Sequence, residues 1–163
     1  MSQAIGIVPL TETLLAGCLT LNNAAEPHVP SVEDVRFRHL LELSHLAVAA
    51  QRGSDPLGFL IALKAGAAHD SPYYGWFQDR YREFVYVDRI VVSPAARGLG
   101  VGRKLYAAVE ALTPRPPRIF CEVNEIPPNP VSLAFHKAIG FVELAKVDSG
   151  PDKRVVMLEK SLR

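Results

Sequence analysis

The heptapeptide Arg97-Gly98-Leu99-Gly100-Val101-Gly102-Arg103 constrains this chain more than any other stretch. Ahead of it, residues 84–92 form the strongest strand pattern in the sequence, rich in β-branched and aromatic side chains. Ser93-Pro94-Ala95-Ala96 then reads as a turn. From about Gly100 the pattern is helical, with Leu105, Ala108, Val109 and Leu112 at i, i+3, i+4 and i+7, until Pro114 stops it. Alternating glycines are costly in chain entropy unless their backbone is put to use. Between a strand and a helix, that use is anion binding, because the helix N-terminus offers unpaired N–H groups and a positive dipole end. Arg97 and Arg103 bracket the run, so a pyrophosphate or similar anion fits it. Spacing removes two alternatives. A P-loop needs Gly-Lys-Ser/Thr at its end, which is absent. A dinucleotide fingerprint needs glycine or alanine where Arg103 stands, and an early β-α-β context.

The rest of the chain predicts a mixed α/β domain over residues 1–163. Residues 4–8 read as a strand ended by Pro9, and 10–21 as a helix with Thr11 as N-cap. A turn-rich connection over 22–31 holds Pro27 and Pro30, and Ser31 resembles the N-cap of a helix running to about Leu43. Residues 46–52 and 57–64 form a hairpin around Gly53-Ser54-Asp55-Pro56. Residues 65–83 read as a long loop carrying Tyr73, Tyr74, Trp76, Phe77 and Tyr81. Such a segment is either a hydrophobic cluster pinned to the sheet or a lid beside a substrate. A strand over 118–123 follows. Asn129 and Pro130 then open a helix as N-cap and first residue, and Gly140 closes it. Strands over 141–147 and 154–159 end the order β-α-α-β-β-β-α-β-α-β-β.

Two stretches together resemble a known superfamily. Arg97-x-x-Gly100-x-Gly102 after Val91-Val92-Ser93-Pro94 is similar to the acetyl-CoA motif of the GNAT N-acetyltransferases. The run Asn129-Pro130-Val131-Ser132-Leu133-Ala134-Phe135-His136-Lys137-Ala138-Ile139-Gly140-Phe141 resembles their second motif, an Asn-led helix ending in Gly-Phe. The resemblance implies the GNAT fold, a mixed central sheet of about six to seven strands flanked by about four helices. It also implies acetyl-CoA as co-substrate, an amine acceptor (small molecule or peptide) and direct transfer without a metal. In that reading the backbone of Ile90, Val91 and Val92 pairs with the pantetheine arm. The amides of Arg97, Gly98, Leu99, Gly100, Val101, Gly102 and Arg103 cradle the pyrophosphate, and Asn129, Ser132 and His136 line the CoA channel. The competing reading of that helix face is a polar surface with an N-cap.

The chemistry needs a base, because an alkylamine with a pKa near 10.4 is only about one part in 2,500 neutral at pH 7. Cys121-Glu122-Val123 resembles the Leu-Glu-Val whose glutamate is the base in ribosomal-protein and N-terminal acetyltransferases, which points to Glu122. The connection after it, residues 124–128, is longer than in that pattern, so the strand end is open to displacement, and Asp88 is the alternative. For either carboxylate the competing role is a structural ion pair. A general acid would help the thiolate leave. Many members of the superfamily carry a tyrosine where this chain has His136, whose imidazolium can donate a proton. A wall residue, with CoA leaving as thiolate, is the other role. Asn22 and Asn23, with Tyr74, Trp76 and Tyr81, are expected near the acceptor. An acetyl-CoA-binding sensor without turnover is the alternative function.

Composition excludes other classes. Across 163 residues, 18 Lys plus Arg against 17 Asp plus Glu give a net charge of +1, no footprint for nucleic acid. No apolar run approaches the roughly 20 residues of a membrane span. Leu15-Ala16-Gly17-Cys18 resembles a lipoprotein cleavage box, but no Lys or Arg precedes it and Thr11 and Glu12 break the apolar run. Cys18 and Cys121 are too few for a disulfide framework, so a cytoplasmic location is expected. Cys121 sits mid-strand beside apolar neighbours, and nothing marks it as an activated nucleophile. His28, His39, His45 and His69 show no metal-ligand spacing and are expected at the surface. Many members of the superfamily dimerise, so a homodimer is an expectation, although no interface is legible.

Overall fold

The computed structural model describes residues 4–163. Along the chain come β1 (Gly6–Pro9), α1 (Glu12–Ala24), α2 (Asp34–Leu43), β2 (Leu46–Arg52), β3 (Asp55–Lys64), α3 (Pro72–Gln78) and β4 (Val85–Val92). A 3-10 turn at Pro94–Ala96 leads to α4 (Val101–Glu110), β5 (Arg118–Ile126), α5 (Pro130–Ala138), β6 (Val142–Asp148) and β7 (Arg154–Ser161). The strands form a 7-stranded sheet in the order β1-β2-β3-β4-β5-β7-β6. Strands β4 and β5 pair in parallel, at Val85↔Ile119 and Tyr86↔Phe120, while β1–β2, β2–β3, β5–β7 and β6–β7 pair antiparallel.

Packing divides the chain into two compact units. The first holds the stretch ending at Leu63 together with Val87–Arg115. Its core is the continuous apolar run Phe59-Leu60-Ile61-Ala62-Leu63 of β3, every residue of it 0% exposed. Such a run needs cover on both faces. Part of that cover is Phe37 of α2, edge-on to Phe59 at 5.6 Å. Helix α1 crosses Pro56 so closely that a Cβ at Gly17 would stand 2.7 Å from its Cγ. The helix also buries Cys18, and burial pushes that thiol up to about 11, leaving it inert.

The second unit holds Lys64–Tyr86 and Pro116–Arg163. Its core is aromatic: Phe77 of α3 stacks on Phe120 of β5 at 4.2 Å and 11°, and Tyr74 meets Tyr86 at 5.4 Å. Strand β7 is buried from Val155 to Leu158 between β5 and β6.

Several expectations need correction. The first strand begins at Gly6 and includes Pro9, and α1 runs on to Ala24. Thr11 does take the N-cap position of α1, but its side chain makes no capping hydrogen bond. Glu33, not Ser31, is the N-cap of α2. Asn23 holds Val32 on both sides, its Oδ1 accepting the Val32 N–H at 2.9 Å and its Nδ2 donating to Val32 O at 3.0 Å, so it engages the carbonyl that a helix capped by Ser31 would point at the Arg36 N–H. The loop expected over 65–83 contains α3, capped by Ser71, whose Oγ accepts the Tyr73 and Tyr74 amides. Among the described residues there are therefore five α-helices, one more than expected. Strand β5 extends to Ile126 because β7 pairs with it that far, through a register shift between Asn124 and Ile126. His69 is not a surface residue: its side chain is 2% exposed, with its ring 5.5 Å from that of Tyr74.

Candidate functional site

In the first unit, the glycine-rich loop is open. Gly98 has φ +82 and Gly100 φ +78, left-handed values that an L side chain resists, and a Cβ at either would meet nothing within 4 Å. Gly100 is the N-cap of α4 and makes no side-chain cap. The first intrahelical bond recorded there runs from Lys104 N–H to Gly100 O at 3.1 Å, so the preceding first-turn amides have no intrahelical acceptor. Arg97 and Arg103 are exposed. Among the described residues neither has a carboxylate within ion-pair distance. The Arg97 and Leu99 amides are taken up inside the loop, by Pro94 O and Ala96 O, so the first-turn amides of α4, the room around Gly98 and Gly100 and the two arginines are what the loop offers to an anion.

The helix is seated there by a residue that sequence reading missed. A Cβ at Gly58 of β3 would stand 2.6 Å from Val91 O, 3.3 Å from Val92 Cα and 3.2 Å from Val101 Cγ1. Glycine at 58 therefore lets β3, the end of β4 and the first turn of α4 meet, and Ser93 N–H donates to Leu57 O at 2.8 Å beside it. Val91 is buried, while Ile90 and Val92 are half-buried.

Asp88 and Arg89, on the same strand, form a buried ion pair: Arg89 Nε to Asp88 Oδ2 is 2.9 Å, with side chains 8% and 6% exposed. The guanidinium also donates Nη1 to Asn22 Oδ1 at 2.9 Å and to Pro30 O at 3.2 Å. Asn22 in turn donates to Pro30 O and to Asn23 Oδ1, and Asn23 donates to Val32 O. Asn22 and Asn23 thus tie the α1–α2 connection together, and Asp88 takes the ion-pair role.

In the second unit, Glu122 lies in unbroken register, opposite Met157 of β7. The longer connection is absorbed beyond it, at the shift after Asn124, so the strand end is not displaced at Glu122. Tyr86 Oη donates to Glu122 Oε2 at 2.7 Å. This tyrosine was not singled out from sequence, because the contact spans 36 positions and depends on strand register.

On α5, Asn129 Oδ1 accepts the Ser132 N–H at 3.4 Å, a helix cap. His136 is 2% exposed, with Nδ1 2.7 Å from Ser132 O and 3.3 Å from Ser132 Oγ. A carbonyl only accepts, so Nδ1 carries the proton. Burial holds the imidazole pKa below the usual 6.5, against the opposing hydrogen bond to Ser132, and the ring is neutral at pH 7. The imidazolium donor expected from sequence is disfavoured by this environment.

The aromatic segment divides. Tyr74 is 1% exposed and fully engaged, its hydroxyl donating to Lys64 O at 2.7 Å and accepting the Ala67 N–H at 2.9 Å. It is a core residue rather than an exposed wall. Trp76 and Tyr81 are half-buried, with Arg80 3.9 Å over the indole and Arg118 4.9 Å over the phenol. Tyr73 Oη donates to Ser149 Oγ at 2.7 Å. Among the described residues there is no group of three metal-ligating side chains, and no helix is long and apolar enough to cross a membrane.

Comparison with known proteins agrees with the fold. Residues 14–141 match the model of the acetyltransferase (GNAT) family. Ard1 from Thermoplasma volcanium has a similar fold, with TM-score 0.79 and 14% identity over 98% of this chain and 99% of that one. The ribosomal-protein-S18-alanine N-acetyltransferase from Escherichia coli gives TM-score 0.73 and 14% identity over 98% and 94%. The yncA structure from Salmonella typhimurium, solved with its cofactor acetyl-CoA, gives 0.69 and 17% over 99% and 95%. No curated protein sequence matches the chain.

Proposed function

Because the chain belongs to the acetyltransferase (GNAT) family, we propose that it moves the acetyl group of acetyl-CoA directly onto a primary amine of a small molecule or peptide. The observation that carries this reading is the open first turn of α4, with left-handed Gly98 and Gly100 and the exposed arginines 97 and 103. Those backbone amides would hold the pyrophosphate, and the end of β4 at Ile90, Val91 and Val92 would pair with the pantetheine arm. Bound acetyl-CoA supplies an activated thioester carbonyl.

The protein's own work is proton handling and charge stabilisation. Glu122 takes the proton that the amine must lose, and the buried Asp88–Arg89 pair leaves that role to it. A backbone N–H near Val92 steadies the oxyanion of the tetrahedral intermediate. His136, neutral and tied to Ser132, serves as a wall residue, and CoA leaves as thiolate. Cys18 and Cys121 are both buried, which suits direct transfer and work in a reducing cytoplasm. The ribosomal-protein acetyltransferase among the structural neighbours puts peptide N-termini on the list of acceptors to try.

The test is thiol release from acetyl-CoA with a panel of primary amines: a peptide with a free alanine N-terminus, a polyamine and an amino sugar. Release above background is expected with at least one class, and Glu122→Gln should slow it by about 10²–10⁴-fold. Binding of acetyl-CoA with no release from any amine would replace this reading with a sensor that does not turn over.

A further inference from the structure

We infer that Tyr86 is the positioning residue for the Glu122 carboxylate: its hydroxyl holds Oε2 and thereby fixes the side chain that takes the amine proton. The inference rests on the reading of Glu122 as base. Its geometry comes from strand register. Tyr86 pairs with Phe120 across the parallel β4–β5 ladder, so the two side chains share a face of the sheet. Glu122, two residues beyond Phe120, lies on that face as well. The phenol therefore reaches along β5 to the carboxylate, and the 2.7 Å separation is that of a charge-assisted O–H···O bond.

The ring that carries this hydroxyl cannot swing. Tyr86 is 0% exposed, and Tyr74 and Phe77 of α3 pack on it at centroid distances of 5.4 and 5.8 Å. His69 lies on the same cluster, 6.5 Å from the Tyr86 ring. A fixed donor on a flexible acidic side chain removes rotamer freedom from the group that must meet the amine. Misplacing a reacting group by about 1 Å can cost on the order of 10²-fold in rate. A buried tyrosine also needs some acceptor for its hydroxyl, and simple satisfaction of that need is the competing account.

A double-mutant cycle separates the two accounts. Thiol release is measured with the fastest amine of the panel above and with water alone. Tyr86→Phe should lower kcat about 10- to 100-fold, with KM for acetyl-CoA unchanged within about twofold. In the Glu122→Gln background the same substitution should cost less than about twofold, because no proton-accepting carboxylate remains to be positioned. Placing 4-aminophenylalanine at position 86 keeps the shape and an N–H donor, and should restore kcat to within about threefold. That variant also decides the matter if Tyr86→Phe folds poorly. Equal losses in both backgrounds, no loss at all, or failure of the rescue would overturn the inference. Failure of the underlying reading shows separately, as a Glu122→Gln single variant that keeps native kcat.

Discussion

Replacing Gly58 with alanine should damage both stability and acetyl-CoA binding, although no ligand is expected to touch residue 58. The added Cβ would lie 2.6 Å from Val91 O, closer than side-chain carbons approach a carbonyl oxygen, and 3.3 Å from Val92 Cα. Both neighbours are backbone, so no side chain can rotate away; β3 and the end of β4 must part. Overpacking of this kind costs about 1–3 kcal/mol. At roughly 2–4 °C per kcal/mol for a domain near this size, the melting midpoint should fall by about 2–12 °C. The third contact, 3.2 Å to Val101 Cγ1, passes the displacement to the first turn of α4, whose amides are proposed to hold the pyrophosphate. The stabilisation that acetyl-CoA confers should therefore shrink as well. Gly75→Ala is the control: it lies inside α3 with nothing within 4 Å of an added Cβ. It should gain up to about 1 kcal/mol from helix propensity and leave the acetyl-CoA shift intact. A Gly58→Ala protein with native melting and a native acetyl-CoA shift would refute the argument that this close approach builds the site.

Two further perturbations follow from buried polar groups. Arg89→Met removes the guanidinium from a pair less than one-tenth exposed and should destabilise by about 3–5 kcal/mol. Asp88→Asn combined with Arg89→Met should recover part of that loss in a urea melt. His136 is held neutral in the fold, so its folded pKa lies below the 6.5 of the unfolded chain. Its contribution to stability is complete above pH 6.5 and is lost as pH falls from there through the lower folded value, because the unfolded chain gains a proton that the fold refuses. Thermal melts from pH 7.5 to 5 should show a smaller drop for His136→Gln than for the native protein.

What was legible in the sequence was local. Asn129, Pro130 and Gly140 mark both ends of α5 through cap chemistry alone, and Gly140 does take φ +108. The loop from Arg97 to Arg103 is likewise a short-range pattern, a strand end, a turn and a helix start. Helix α3 escaped although Ser71-Pro72 carries the same kind of cap signal as Asn129-Pro130. Its Pro-Tyr-Tyr-Gly-Trp-Phe-Gln content is poor in helix propensity, and the stack of Phe77 on Phe120 holds it in place. Ser31 carries a cap signal, but Asn23, nine positions before Val32, engages the Val32 carbonyl that a helix starting there would need. Tyr86 and Gly58 were invisible for the same reason: their meaning lies in partners across the sheet, Glu122 and Val91, which no local pattern announces.

Thermal melting with and without millimolar acetyl-CoA, with NAD as control and Gly100→Asp alongside, tests the central claim most directly. For a dissociation constant of about 10 µM, a hundredfold excess adds about 2.7 kcal/mol. That should raise the midpoint by roughly 5–11 °C for the native protein. NAD should leave it unmoved, and a carboxylate at position 100 should repel the pyrophosphate and abolish most of the rise. No rise with acetyl-CoA, or an equal rise for Gly100→Asp, would contradict the cradle at residues 97–103 and the acetyl transfer built on it.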